Sequence, residues 1–140
     1  MKITTSSERQ TINFARQFTK ELNGGEVIGL IGDLGAGKTV FTKGIALGLG
    51  IKKTITSPTF VLMKIYPVKN KTRIKNLFHI DTYRILDAND IMGIGIEDYL
   101  GQEDTVVVIE WADKIKKILP KNTKYITLEN TNKNKRLIKY

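Results

Sequence analysis

The sequence predicts an α/β domain with a mostly parallel central sheet, flanking helices and one antiparallel hairpin. Three observations predict it. Short apolar runs alternate with stretches of helical spacing along the chain. The two strongest runs, Val27-Ile28-Gly29-Leu30-Ile31 and Val106-Val107-Val108-Ile109, lack alternating polar positions, as strands covered on both faces do. The 140 residues are 41% hydrophobic and 26% charged, enough for one core with little left for a second domain, so residues 1–140 are read as a single unit.

Each element has its own local reason. Ser7-Glu8-Arg9-Gln10 forms a capping box, and Phe14, Ala15, Phe18 and Leu22 follow at helical spacing, which predicts a first helix from Ser7 to Leu22. Asn23-Gly24-Gly25 stops it before the buried strand Val27 to Ile31. Lys38 to Leu49 reads as the next helix, closed by Gly48 or Gly50. Thr59 to Tyr66 and Arg73 to Asp81 are β-rich and joined by Pro67 to Thr72, so they are expected to pair as the hairpin. Asp87 to Leu100 is polar and broken by Gly93 and Gly95, which allows two short helical turns. Val106 to Ile109 is the strongest central strand, Ala112 to Leu119 is helical up to Pro120, Tyr125 to Leu128 is another strand, and Leu137 to Tyr140 is expected as a last edge strand.

Composition removes several chemistries. Without cysteine there are no disulfides, no thiolate metal ligands and no cysteine nucleophile, and one histidine is too few for a zinc centre. No apolar run reaches the roughly 20 residues that span a bilayer, and Met1 to Thr5 leads into no signal-like stretch, so a cytoplasmic protein without a membrane partner is expected. The net charge of +9 is uneven: residues 64–76 carry +5, 81–113 carry −8 and 114–140 carry +8. Such segments could present phosphate-attracting surfaces to a nucleic acid, tRNA included, beside an acidic face for a protein. With 18 lysines to 5 arginines and 19 isoleucines, AT-rich coding would produce the same excess of lysine.

Gly32-Asp33-Leu34-Gly35-Ala36-Gly37-Lys38-Thr39 fits G-x-x-x-x-G-K-[ST], a pattern this composition would produce by chance about 0.016 times. It follows a buried strand and opens a helix, the setting of a phosphate loop, so the fold expectation sharpens to a single-domain P-loop NTPase. In that chemistry the segment from Asp33 to Val40 wraps the phosphates with backbone N–H groups at a helix N-terminus. Lys38 reaches the β- and γ-phosphates, and the Thr39 hydroxyl goes to magnesium. Two apolar runs end in an acid, Leu77-Phe78-His79-Ile80-Asp81 and Val106-Val107-Val108-Ile109-Glu110, and either could supply the metal or water-orienting carboxylate at the sheet edge. His79, inside an apolar run, reads as a core histidine, and Trp111 as a cap on the core. Asp90-Ile91-Met92-Gly93 matches D-x-x-G but follows no strand, and Asn132-Lys133-Asn134-Lys135 lacks the acid of a guanine-reading N-K-x-D, so ATP is the expected nucleotide.

With these residues in hand, the chain resembles the TsaE family of small bacterial P-loop ATPases of tRNA threonylcarbamoyladenosine biosynthesis. The resemblance rests on the phosphate loop, Ser57-Pro58-Thr59-Phe60, His79-Ile80-Asp81-Thr82-Tyr83-Arg84, Met92-Gly93-Ile94 with Asp98-Tyr99, and Ile109-Glu110-Trp111, in the family's order from residue 7 to about 120. It implies a switch-I-like loop at Ser57, Pro58 and Thr59 and a switch-II-like one at Asp81, Tyr83 and Arg84. It also implies Glu110 as a magnesium ligand beside Thr39, Arg136 as a nucleotide contact and an adenine pocket near Ser7 to Thr11. Lys38, Asp81 and Glu110 would carry hydrolysis, while Tyr83, Arg84 and Trp111 would face TsaD-like and TsaB-like partners. Thr82 stands where the family usually has leucine, and Val40 where it has threonine. A small nucleoside or metabolite kinase shares the phosphate loop but needs a lid and an acceptor pocket that 140 residues hardly accommodate. A nucleotide-gated RNA-binding module would use the basic segments without requiring hydrolysis.

Overall fold

In the computed structural model, which describes residues 1–58, 62–70 and 72–140, both double-covered apolar runs are central strands. The elements are β1 (Lys2–Thr5), α1 (Glu8–Phe18), β2 (Val27–Ile31), α2 (Lys38–Gly48), β3 (Met63–Pro67), β4 (Asn76–Asp81), α3 (Ala88–Met92), β5 (Thr105–Glu110), β6 (Lys124–Asn132) and β7 (Lys135–Lys139). Short 3₁₀ segments occupy Thr19–Glu21, Ile96–Asp98 and Ala112–Ile118. All seven strands form one mixed sheet in the order β1-β7-β6-β2-β5-β4-β3. Its centre, β6, β2, β5 and β4, is parallel, and β7 on β6, β1 on β7 and β3 on β4 run antiparallel.

Every residue of β5 is buried, and its alternate side chains feed two cores. Val106 and Val108 join Ile28, Leu30, Phe41, Ile45, Leu77 and Ile126 beneath α1 and α2. Val107 and Ile109 join Val27, Phe78, Ile80, Ile91, Ile96 and Ile115 on the opposite face. Parallel pairing also sets the working edge. Asp81 lies in register with Glu110, and Glu110 with Leu30, so three strand ends converge where β2 turns into α2.

Several elements differ from expectation for identifiable reasons. Ser7 caps α1 by accepting from the Gln10 backbone N–H, but the α-helix ends at Phe18 and a 3₁₀ turn carries the chain to Leu22. Lys2–Thr5 is a strand because β7 supplies its partners, Lys2 opposite Lys139 through Thr5 opposite Arg136; three of its four side chains are exposed, so no hydrophobic pattern marks it. The expected last edge strand is therefore interior to the sheet, and β1 forms that edge. Ala112–Ile118 is 3₁₀ rather than α, with Ile115 at φ −122° interrupting it. The hairpin forms between Met63–Pro67 and Asn76–Asp81, while Thr59, Phe60 and Val61 of its expected first strand lie outside the described residues.

Helices α1 and α2 approach closely at Gly44, where an added Cβ would lie 2.5 Å from the Ile12 carbonyl oxygen and 2.5 Å from Ala15 Cβ. Alanine is the better helix former by about 1 kcal/mol. Backbone oxygen cannot rotate away, so the clash wins, and Gly44→Ala is expected to destabilise the protein by about 1–3 kcal/mol in equilibrium urea unfolding. A stabilised variant would show that the helices separate freely.

Candidate functional site

The phosphate loop runs from the end of β2 into the first turn of α2. Gly37 is the N-cap of α2 at φ 103°, a left-handed conformation that brings the loop under Arg136; a Cβ there would lie 2.8 Å from Arg136 Nε. No side chain caps α2, and its first turn holds no acid, so the positive end of the helix is directed at the cleft for an incoming anion. The cleft has a volume of about 400 Å³ and is walled by the loop, Ser57, the Asp81–Tyr83 turn, Glu110 with Trp111, and Arg136 with Glu8.

Lys38 is 5% exposed and donates to the carbonyl oxygens of Gly32 at 2.6 Å and Asp33 at 2.9 Å. Its Nζ also lies 3.9 Å from the centroid of the Trp111 ring, a cation–π contact. Burial pushes its pKa below the ordinary lysine value, against the opposing pull of the Glu110, Asp81, Asp113 and Asp33 charges.

Glu110 is the other buried anchor, 3% exposed at the end of β5. The Thr39 hydroxyl donates to both of its oxygens, at 2.9 Å and 3.1 Å, and His79 Nε2 is 2.7 Å from Oε1. His79 is fully buried and Nδ1 has no partner among the described residues, so its polar contact among them is with this carboxylate. The core histidine of the sequence reading is thus tied to the site. Its signal was the strand period: two residues before Asp81 on β4, it faces the same side of the sheet.

Asp81, 3% exposed, accepts from the Ser57 hydroxyl through Oδ2 and from the Tyr83 backbone N–H at 2.8 Å through Oδ1. It thereby joins the two segments expected to act as switches. Pro58 is buried beside Ser57, and Thr59 lies outside the described residues. Arg84 is exposed, on the turn that Asp81 organises. Trp111 is no core cap: it is half-buried, lines the cleft, and stands at φ 59° in the left-handed region rarely used by non-glycine residues. The Thr82 hydroxyl helps to fix it there, lying 2.7 Å from the Trp111 carbonyl and 3.0 Å from that of Glu110. Neither Thr82 nor His79 was singled out from sequence as part of the site.

The remaining residues divide clearly. Leu34, Gly35 and Val40 line the cleft with Gly37, Lys38 and Thr39, whereas Ala36 is buried beneath the loop and Asp33 contributes its carbonyl. Arg136 reaches the cleft from β7, 3.9 Å from Glu8, with its Nε buried and without a partner among the described residues. Ser7 and Thr11 are occupied instead in capping α1 and in a buried hydroxyl pair between Thr11 and Thr5, so only Glu8 of that stretch meets the cleft. Asp90 forms a capping box with Asp87 on α3 and takes no part in the site. Among the described residues no cluster of three or more His, Cys, Asp or Glu side chains is placed to hold a metal. A hydroxyl beside one carboxylate is nevertheless a donor set suited to magnesium, which keeps several waters and takes other ligands from phosphates. Among the described residues no helix is long and apolar enough to cross a membrane.

Comparison with known proteins gives this geometry a lineage. The family described as "Threonylcarbamoyl adenosine biosynthesis protein TsaE" matches residues 5–138. The Treponema pallidum tRNA threonylcarbamoyladenosine biosynthesis protein TsaE is 38% identical over 128 residues, covering 91% of this chain and 90% of its own. Its namesake in Rickettsia typhi is 39% identical over 135 residues, covering 96% of this chain and 90% of its own. The crystal structure of Bacillus subtilis YdiB superposes with a TM-score of 0.79 at 34% identity, covering 99% of this chain and 82% of that one. The profile match over nearly the whole chain, and relatives at this identity and coverage, place the chain in the TsaE family.

Proposed function

We propose that the chain binds ATP with magnesium, hydrolyses it, and thereby serves threonylcarbamoyladenosine formation on tRNA, the process named for its relatives. The observation that carries the reading is the convergence of Lys38, Thr39 and Glu110 on one cleft at the N-terminus of α2. Backbone N–H groups of the loop and the α2 dipole hold the phosphates. The Lys38 ammonium exchanges the Gly32 and Asp33 carbonyls for β- and γ-phosphate oxygens. Thr39 and Glu110 would hold magnesium, and the chemistry it would supply there is neutralisation of charge developing on those oxygens. Water attacks the γ-phosphorus, a P–O bond forms as the bond to the departing ADP oxygen breaks, and both protons of the water leave with the phosphate as dihydrogen phosphate. Asp81 couples this event to the surface through Ser57 and Tyr83.

Leu34 at 76% and Tyr83 at 44% exposure line the cleft, and Leu86, three residues after Tyr83, is 97% exposed, so apolar side chains stand in and near the cleft beside an acidic stretch. The docking of TsaD-like and TsaB-like proteins on this surface would let them read the nucleotide state.

Lys38→Ala is expected to abolish ATP hydrolysis in a phosphate-release assay with the circular dichroism spectrum unchanged; undiminished turnover would overturn the assignment. Glu110→Gln is expected to raise the magnesium requirement more than Asp81→Asn does, and a magnesium titration giving the reverse order would exchange their roles. Tyr83→Ala and Leu86→Ala are expected to weaken partner binding in calorimetry with ATP affinity nearly unchanged. Trp111→Ala is expected to weaken both, because its ring also stacks on Lys38.

Lys38 also predicts a pH signature. A lysine whose pKa is lowered on folding costs stability wherever it is charged. That cost is fully present below its folded-state pKa and is relieved as pH rises from there toward 10.5. The nucleotide-free Lys38→Met protein is therefore expected to be the more stable at neutral pH, and the difference to narrow toward pH 10.5 in thermal unfolding.

A further inference from the structure

The nucleotide cleft lies at the edge where the parallel strands end. The loop after α2 and the β3–β4 turn lie at the opposite edge, one helix length away, about 16 Å for the 11 residues of α2. Two adjoining grooves cross that edge. One, of about 450 Å³, is formed by Gly50 to Lys53 against Tyr66, Pro67 and Lys69. The other, of about 270 Å³, shares Ile51, Lys52 and Lys53 and extends to Lys43 on α2. Among the described residues no aspartate or glutamate lines either groove.

The pairing of nearby charges sharpens the contrast. Arg73, on the same turn, is bonded to Glu103, and elsewhere Lys139 pairs with Glu129 and Arg136 with Glu8. None of the side chains of Lys43, Lys52, Lys53 and Lys69 makes an ion pair or hydrogen bond among the described residues. Three separate segments thus bring four ammonium groups to these two adjoining grooves with no acidic partner among the described residues.

We propose that this groove binds the phosphodiester backbone of RNA, a second binding site of a protein whose family name concerns a tRNA modification. The inference rests on the reading that the chain serves that process. Lysine is depleted from protein–protein interfaces and is a dominant phosphate contact, which favours RNA over an acidic protein. Tyr66, 3% exposed, offers no ring for bases to stack on, so recognition is by backbone and shape, independent of sequence. Leu47 and Ile65, about half exposed, are too few to insert into a bilayer. Position at the far edge leaves the nucleotide cleft and its rim free while RNA is held.

The test is fluorescence anisotropy with labelled bulk tRNA and the intact protein at 50 and 200 mM salt. Wild type is expected to bind with a strong salt dependence, since each phosphate contact contributes about 0.7–0.9 to the log–log slope. The triple variant Lys52→Gln, Lys53→Gln, Lys69→Gln is expected to lose at least tenfold in affinity at the lower salt and about 2 units of slope. Neutralising Lys116, Lys117 and Lys121, equal in charge but away from the grooves, is expected to cost less than threefold. ATP affinity should be unchanged in both triple variants, and Lys38→Ala should lose ATP while keeping RNA, so failure of the ATP reading and failure of this one are distinguishable. Three results would overturn the proposal: no tRNA binding by wild type at 50 mM salt, equal losses in the two triple variants, or displacement of tRNA by polyglutamate as effectively as by unlabelled RNA of equal charge.

Discussion

A carboxylate buried at the end of the central strand organises the working edge of this molecule. Glu110 is almost withdrawn from water, and an ionised group so placed is sustained only by donors and opposite charge. Thr39 reaches it from α2 and His79 from β4, and the Lys38 ammonium contributes from the same helix turn as Thr39. Three elements are therefore tied to one side chain. The parallel register of β2, β5 and β4 makes the arrangement possible, because strands in parallel end at the same edge.

The unpartnered Nδ1 of His79 fits the same view. A buried nitrogen without a hydrogen bond costs about 1–3 kcal/mol relative to a satisfied one. An apolar residue in the middle of β4 would avoid that cost but would not hold the Glu110 carboxylate, and functional sites are where such costs are retained. Lys38 follows the same rule, since its charge is kept although burial opposes it. The energy for both comes from the two apolar cores on either side of β5.

Trp111 shows how the edge is linked to the surface. Its left-handed backbone turns the chain sharply after β5 and places the indole between Lys38 and Tyr83, whose ring is 5.1 Å away. Lys114 donates to the Tyr83 carbonyl and lies over the Tyr83 ring. A chain of contacts thus runs from the Lys38 ammonium to an exposed tyrosine, joined by the Asp81 carboxylate on the other side. The Thr82 hydroxyl anchors this left-handed turn by donating to the Trp111 carbonyl.

The sequence by itself determined the fold class, the two central strands, the glycine-rich loop between β2 and α2 and the two strand-end acids, because these rest on local patterns: unbroken apolar runs, glycine spacing, a capping serine. It could not determine β1, whose exposed residues become a strand only because β7 offers hydrogen-bond partners from the far end of the chain. Nor could it reveal that the histidine of an apolar run touches Glu110, that Trp111 stacks on Lys38, or that Ser7 is taken up in capping α1 and Thr11 in a hydroxyl pair with Thr5 while Arg136 reaches the cleft. The basic segment 64–76 was visible as charge, yet only the β3–β4 pairing set it at the edge opposite the Lys38–Glu110 cleft, beside the lysines that follow α2. In each case the deciding contact joins residues distant in sequence, and strand register, not local preference, brings them together.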